Sequence, residues 1–170
     1  MVALTNLLQL ALIGFASAAP VTTTATTTTS TSFSGTGQLR TQWSSGDYAD
    51  LGCLTDSGEW TANDDICGQF TAVRPSQNQF TLTSRDGPCQ YYGARFTCGP
   101  GNAQYTFGTW PFANSIPGVE CLRWGLYGIM ASWEKNPPDP SDAPEEIHLA
   151  DYTEQGKYVW ATWRPLTSTS

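Results

Sequence analysis

The sequence predicts an all-β fold, a small disulfide-stapled antiparallel barrel or sandwich. Between Gly35 and Pro165 the apolar residues recur with a period near two, and the runs are short. The 16 glycines and 11 prolines fall between those runs as punctuation, at Ser45-Gly46-Asp47, Asp86-Gly87-Pro88, Gly99-Pro100-Gly101 and Pro117-Gly118. No segment carries a convincing 3.6-residue apolar stripe, so no amphipathic helix is expected. Short strands at such spacing suit a compact barrel or a two-layer sandwich, and spacing does not choose between them.

In chain order the expected strands are Gly37–Trp43, Ala49–Leu54, Gln69–Val73, Gln79–Ser84, Ala94–Cys98, Gln104–Gly108, Leu122–Trp133 and Lys157–Arg164. The run Gln79-Phe-Thr-Leu-Thr alternates polar and apolar side chains, as a half-buried strand requires. Ahead of this body, an uncharged apolar stretch from Leu7 to Phe15 precedes small residues at Ala16 and Ala18. That is the pattern of a secretory signal over 1–18, and it is too short to span a bilayer. Residues 19–34 are rich in Thr and Ser and read as a disordered leader able to accept O-glycans. A single β domain over 35–165 follows, with an acidic, proline-rich insert at 136–146 and a polar tail at 166–170.

Five cysteines in a secreted chain imply two bridges and one remaining thiol. Proximity favours Cys53 with Cys67 and Cys89 with Cys98, the second pair tying two strands joined through Gln90-Tyr-Tyr-Gly93-Ala-Arg. Spacing alone leaves the connectivity open. Cys121 is then a buried free thiol or an intermolecular bridge.

The charge balance removes several function classes. With 8 basic and 15 acidic side chains the formal net charge is −7, which disfavours nucleic acid as a partner. A single histidine, His148, supplies neither a two-histidine acid–base mechanism nor a polyhistidine metal site, and the cysteine spacing does not suit zinc. No cofactor and no metal are expected. The acidic residues Asp139, Asp142, Glu145 and Glu146 are interrupted by prolines, which argues for a solvated loop rather than a calcium loop.

One ordered series of motifs stands out. Gly52-Cys-Leu-Thr-Asp-Ser-Gly-Glu-Trp60 is followed by Cys67-Gly-Gln-Phe-Thr-Ala72, Phe80-Thr-Leu-Thr-Ser-Arg-Asp-Gly-Pro-Cys89 and Ala94-Arg-Phe-Thr-Cys98-Gly99. The series resembles the β-rich C-terminal domain that follows the catalytic domain in fungal ribonucleases of the T2 family. Leu149-Ala-Asp151, Gly156 and Val159 fit the same domain's closing segment, so the resemblance extends over about Gly35 to Pro165. Trp110–Pro144 is longer than that pattern. T2 catalysis uses two histidine-bearing segments; Arg123-Trp-Gly-Leu-Tyr-Gly128 and Ser132-Trp-Glu-Lys-Asn136 echo them faintly, without the histidines. The resemblance therefore implies a free-standing, non-catalytic domain.

Function then rests on what the surface presents. Seven tryptophans are many for one small domain, and most are expected in the core. Trp160 and Trp163 are three residues apart, an odd step, so a regular strand points them to opposite faces; the same holds for Trp124 and Trp133. Trp60 reads as a core anchor, while Trp43, Trp110, Trp133 and Trp163 are the candidates for ligand-facing aromatics that stack on sugar rings. No catalytic residue is assigned. The expected function is a secreted, extracellular accessory domain binding a polysaccharide, with no membrane span and as a monomer. One alternative is an effector-type protein that binds a host protein. Another is a small hydrolase drawing two carboxylates from Glu59, Asp64, Asp65, Glu120, Glu134 and Asp151.

Overall fold

The computed structural model describes residues 32–43, 49–111, 119–123, 130–131, 138–149 and 158–166. The secretory signal, nearly all of the Thr/Ser leader, Trp124, Trp133, Glu134, Asp151 and the last four residues lie outside them. The strands are β1 (Gly35–Trp43), β2 (Asp50–Leu54), β3 (Trp60–Thr61), β4 (Phe70–Ser76), β5 (Gln79–Ser84), β6 (Gly87–Tyr92), β7 (Arg95–Cys98), β8 (Thr106–Pro111), β9 (Glu120–Arg123), β10 (Met130–Ala131), β11 (His148–Leu149) and β12 (Tyr158–Pro165). One 3-10 turn covers Asp64–Ile66, and the described residues contain no α-helix.

All pairings among the described residues are antiparallel, and they close on themselves. β1 pairs with β4, β4 with β5, β5 with β8, β8 with β9, β9 with β12, and β12 returns to β1. The closing ladder is the longest, running from Gly37 opposite Pro165 to Trp43 opposite Val159. β6, β7, β11 and β10 make a second path from β5 to β12. This closure explains the period of two: one face of every strand turns inward.

The inward face is aromatic. Phe33, Leu39, Phe70, Phe80, Leu82, Phe107, Leu122, Val159 and Trp163 are buried in one cluster. Phe33 belongs to the Thr/Ser stretch assigned to the leader, yet it is fully buried and stacks on Phe80 with centroids 4.4 Å apart. The folded body therefore starts before Gly35, because the tract's single aromatic side chain gains more by burial than the chain loses in ordering its neighbours.

Several sequence expectations are refined. The expected strand Leu122–Trp133 is represented by β9 and β10, which pair with different positions of β12. Gly87-Pro88 does not end a strand but opens β6; Pro88 needs no N–H there, and its carbonyl accepts from Gly99 N at 3.1 Å. The acidic insert is exposed over Asp139–Ala143 but is not merely a solvated loop. Its Glu145 exchanges two backbone hydrogen bonds with Trp60, at 2.6 and 2.8 Å, and Ile147 beyond it is buried.

The motifs of the resemblance now have structural reasons. Thr55–Glu59 forms the β2–β3 turn, with Gly58 at φ 95° and Thr55 Oγ1 accepting from Glu59 N. That turn delivers Trp60 to the core, where its indole N–H donates to Leu51 O at 3.2 Å. Cys53 is bonded to Cys67, and Cys89 to Cys98, which stand directly opposite in the β6–β7 ladder. Cys121 is buried and belongs to neither of these two bridges.

Candidate functional site

Two polar regions stand out on the outside of the sheet. The first is a cleft of about 490 Å³ lined by Arg40, Asp50, Leu51, Gly52, Ala62, Asp64, Pro138 and Arg164. Arg40 forms its floor, because odd-numbered neighbours of β1 such as Leu39 turn inward and Arg40 faces the other way. Its guanidinium holds Asp50 through Nε and Nη2, at 3.0 and 2.9 Å, and Asp64 through Nη1 at 2.7 Å. Nη1 also lies 3.3 Å from Cys67 Sγ. Burial works against the charge of Arg40, but its bonds to the two carboxylates outweigh that and raise its pKa further.

A bulge aims Asp50. Arg40 pairs with Cys53 and Gln42 with Asp50, so two steps on β1 face three on β2. Gly52, at φ 114°, absorbs the extra residue and donates its N–H to Asp50 Oδ1 at 3.0 Å. Asp64 is placed by the 3-10 turn, whose first residues are fixed by Asn63 Oδ1 accepting from Asp65 N. Cys53, Asp64 and Cys67 bring ligand-type atoms within 4.8 Å of one another, but the two sulfurs are bonded to each other and so offer no thiolate to a metal.

The second region is the outer face of β6, β7 and β11. Tyr92 stands opposite Arg95, and Arg95 opposite His148, so the three side chains form one row across three strands. Glu146 brackets the row: it ion-pairs with Arg95 and lies 3.6 Å from His148 Nε2. Burial and the nearby Arg95 charge hold His148 below the usual imidazole pKa. The next row holds Gln90 opposite Thr97. Gln90 Nε2 donates to Asn102 Oδ1 at 3.0 Å, Asn102 Nδ2 to Thr97 O at 3.1 Å, and Ala103 N to Gln90 Oε1 at 3.3 Å. The amides are thus fixed in orientation. Tyr92 is 73% exposed beside them.

Of the four tryptophans expected to face a ligand, the side chains of Trp43 and Trp163 are described. Trp163 is a correction: it is 2% exposed, pairs with Leu39 and packs on Phe33. Alternation along β12 puts Val159, Ala161 and Trp163 inward, and Trp160 takes the opposite face. Trp43 is half-buried against the core. Trp110 lies on β8, with its side chain outside the described atoms, and Trp133 lies outside the described residues. Among the described residues the exposed aromatics are Tyr92 and, at 38%, Tyr105.

Four of the six candidate carboxylates lie among the described residues, each in its own surroundings, and Glu134 and Asp151 lie outside them. Glu59 accepts from Ser57 Oγ at 2.8 Å, Asp64 serves Arg40, and Glu120 pairs with Arg74 at 2.7 Å. Asp65 is exposed on the 3-10 turn. The carboxylate that does approach Asp64, through the shared guanidinium, is Asp50. Asp50 and Asp64 are thus both held by one guanidinium.

Comparison with known proteins adds the family context. Residues 31–112 match the family RNase T2-like C-terminal domain. The RNase T2-like C-terminal domain pattern so defined begins beside the buried Phe33 and ends just beyond β8. It takes in both disulfides and the whole motif series from Gly52 to Gly99. Two curated proteins named ribonuclease T2-like are similar to part of the chain. One, from Emericella nidulans, is 44% identical over 48 residues, which is 28% of this chain and 11% of that protein. The other, from Aspergillus fumigatus, is 39% identical over 49 residues, 29% of this chain and 12% of its own length. The similar stretch thus spans about a tenth of either relative. No solved structure matches the chain significantly. No helix among the described residues is long and apolar enough to cross a membrane.

Proposed function

We propose that this chain is a secreted, non-catalytic accessory domain that binds cell-wall polysaccharide through the outer face of β6 and β7. The observation that carries the reading is Tyr92, 73% exposed on a face whose neighbouring side chains are the preset amides and hydroxyl of Gln90, Asn102 and Thr97. A phenol ring offers the C–H face of a sugar a flat apolar platform, and the amides offer donors and acceptors to its hydroxyls. Because Gln90 and Asn102 hold each other in place, the side-chain entropy lost on binding is small. Two disulfides and the likeness to an RNase T2-like C-terminal domain support an extracellular setting. The separate partners of the described carboxylates Glu59, Asp64 and Glu120 support a binding role over hydrolysis.

The test is sedimentation of the full chain with insoluble chitin, β-glucan and cellulose. Wild type should bind at least one of them, and Tyr92→Ala should lose about tenfold in affinity while unfolding at the same temperature. Binding to none, or binding untouched by Tyr92→Ala, rejects the reading.

A further inference from the structure

We propose that Arg95 and His148 form a carboxylate subsite beside Tyr92, occupied in the free protein by Glu146, and that a uronic acid residue of the bound glycan displaces it. The inference rests on the glycan-binding reading and names the sugar class. Its basis is the row Tyr92–Arg95–His148, which ladder pairing fixes on one face of three strands. At one end is an aromatic platform, and next to it is a planar fork of donors suited to a carboxylate. Beyond the fork, the His148 ring stands 3.6 Å from the same carboxylate.

The resident carboxylate shows what chemistry the pair accepts. Glu146 bonds Arg95 and approaches His148 with its own side chain 53% exposed, and Arg95 is 46% exposed. An ion pair this open to water is worth little, so exchanging one carboxylate for another costs little. Glu146 rides on the segment following the exposed acidic turn, while Ile147 beside it is anchored in the core and Phe96 N bonds Ile147 O at 3.3 Å. The side chain can therefore swing away while the backbone stays. The net charge of −7 provides no long-range attraction for a polyanion. The preference is a contact effect, best seen with short oligomers at moderate salt.

The experiment compares trigalacturonate with the same trisaccharide after reduction of its carboxylates, titrated calorimetrically into the full chain. The acid form should bind about tenfold more tightly. Arg95→Gln should abolish that ratio and keep the affinity for the neutral form, and Glu146→Gln should tighten the acid form by removing the competitor. Unchanged thermal unfolding of each variant confirms that the fold is intact. Equal affinity for the two sugars, or a ratio that survives Arg95→Gln, overturns the subsite while leaving the glycan face standing. Failure of wild type to bind either sugar, together with no binding to any neutral glycan, removes both.

Discussion

The indole of Trp163 lies directly on Gly37: a Cβ at Gly37 would sit 2.5 Å from Trp163 Cζ2 and 2.7 Å from Arg164 O. The glycine is part of the core's shape, since it lets the inward tryptophan of β12 close over β1 where the ring of strands is completed.

Gly37→Ala should therefore behave as an overpacking substitution. Backbone lies on one side of the new methyl and a rigid ring on the other, so neither neighbour yields easily. A loss of about 1–3 kcal/mol in urea-induced unfolding is expected. Pairing the change with Trp163→Leu, which frees the space over Gly37, should recover part of the loss relative to the sum of the single changes. Strict additivity would show that the contact is not the cause.

Gly52 faces a different constraint. At φ 114° it adopts a conformation costly for any L side chain, and a Cβ there would meet Thr61 O at 2.0 Å. Gly52→Ala is expected to cost more than about 3 kcal/mol, combining backbone strain with displacement of β3. Near-native stability by differential scanning fluorimetry would refute this account of the bulge.

Arg40 should tolerate no simple replacement. Arg40→Met leaves Asp50 and Asp64 facing each other without their shared cation, at an expected cost of about 2 kcal/mol after allowance for the solvent that reaches both carboxylates. Arg40→Lys keeps a charge but loses the fork and should recover less than half of the loss. Equal stabilities of the Lys variant and wild type would show that geometry is unimportant there.

His148 sets a pH dependence with a definite sign. Its pKa is below 6.5 in the folded chain, so near that pH the unfolded chain binds more protons. The stability it helps preserve is fully present above about pH 6.5 and falls as pH drops toward the folded value, below which the loss is constant. The urea midpoint of wild type should decline more steeply below neutrality than that of His148→Gln. Parallel slopes for the two proteins would contradict the burial and Arg95 argument.

Much of the fold could be read from the chain, and the failures share a cause. Alternation defined β5 at Gln79–Ser84, because each side chain there has one clear face. The two-residue strands β3 and β11 are too short to show a periodicity, and only their pairing makes them strands: with Cys53 and Leu54 for β3, with Met130, Ala131 and Arg95 for β11. Alternation also required Trp160 and Trp163 to diverge, but only the pairing of Leu39 with Trp163 says which turns inward. The site was less legible. Tyr92 and His148 meet through Arg95, a relationship carried by tertiary pairing alone, and Asp50 reaches Arg40 only because Gly52 bulges.

The bridge between Glu145 and Trp60 has a consequence for strand addition between copies. β3 is only two residues long, and its far side is covered by that one residue of the proline-rich loop. Shortening the loop would hand the Trp60 N–H and C=O to a neighbouring copy, a template for intermolecular strand addition and aggregation. The segment that looks most expendable for engineering is thus the one whose removal should promote fibres or precipitate.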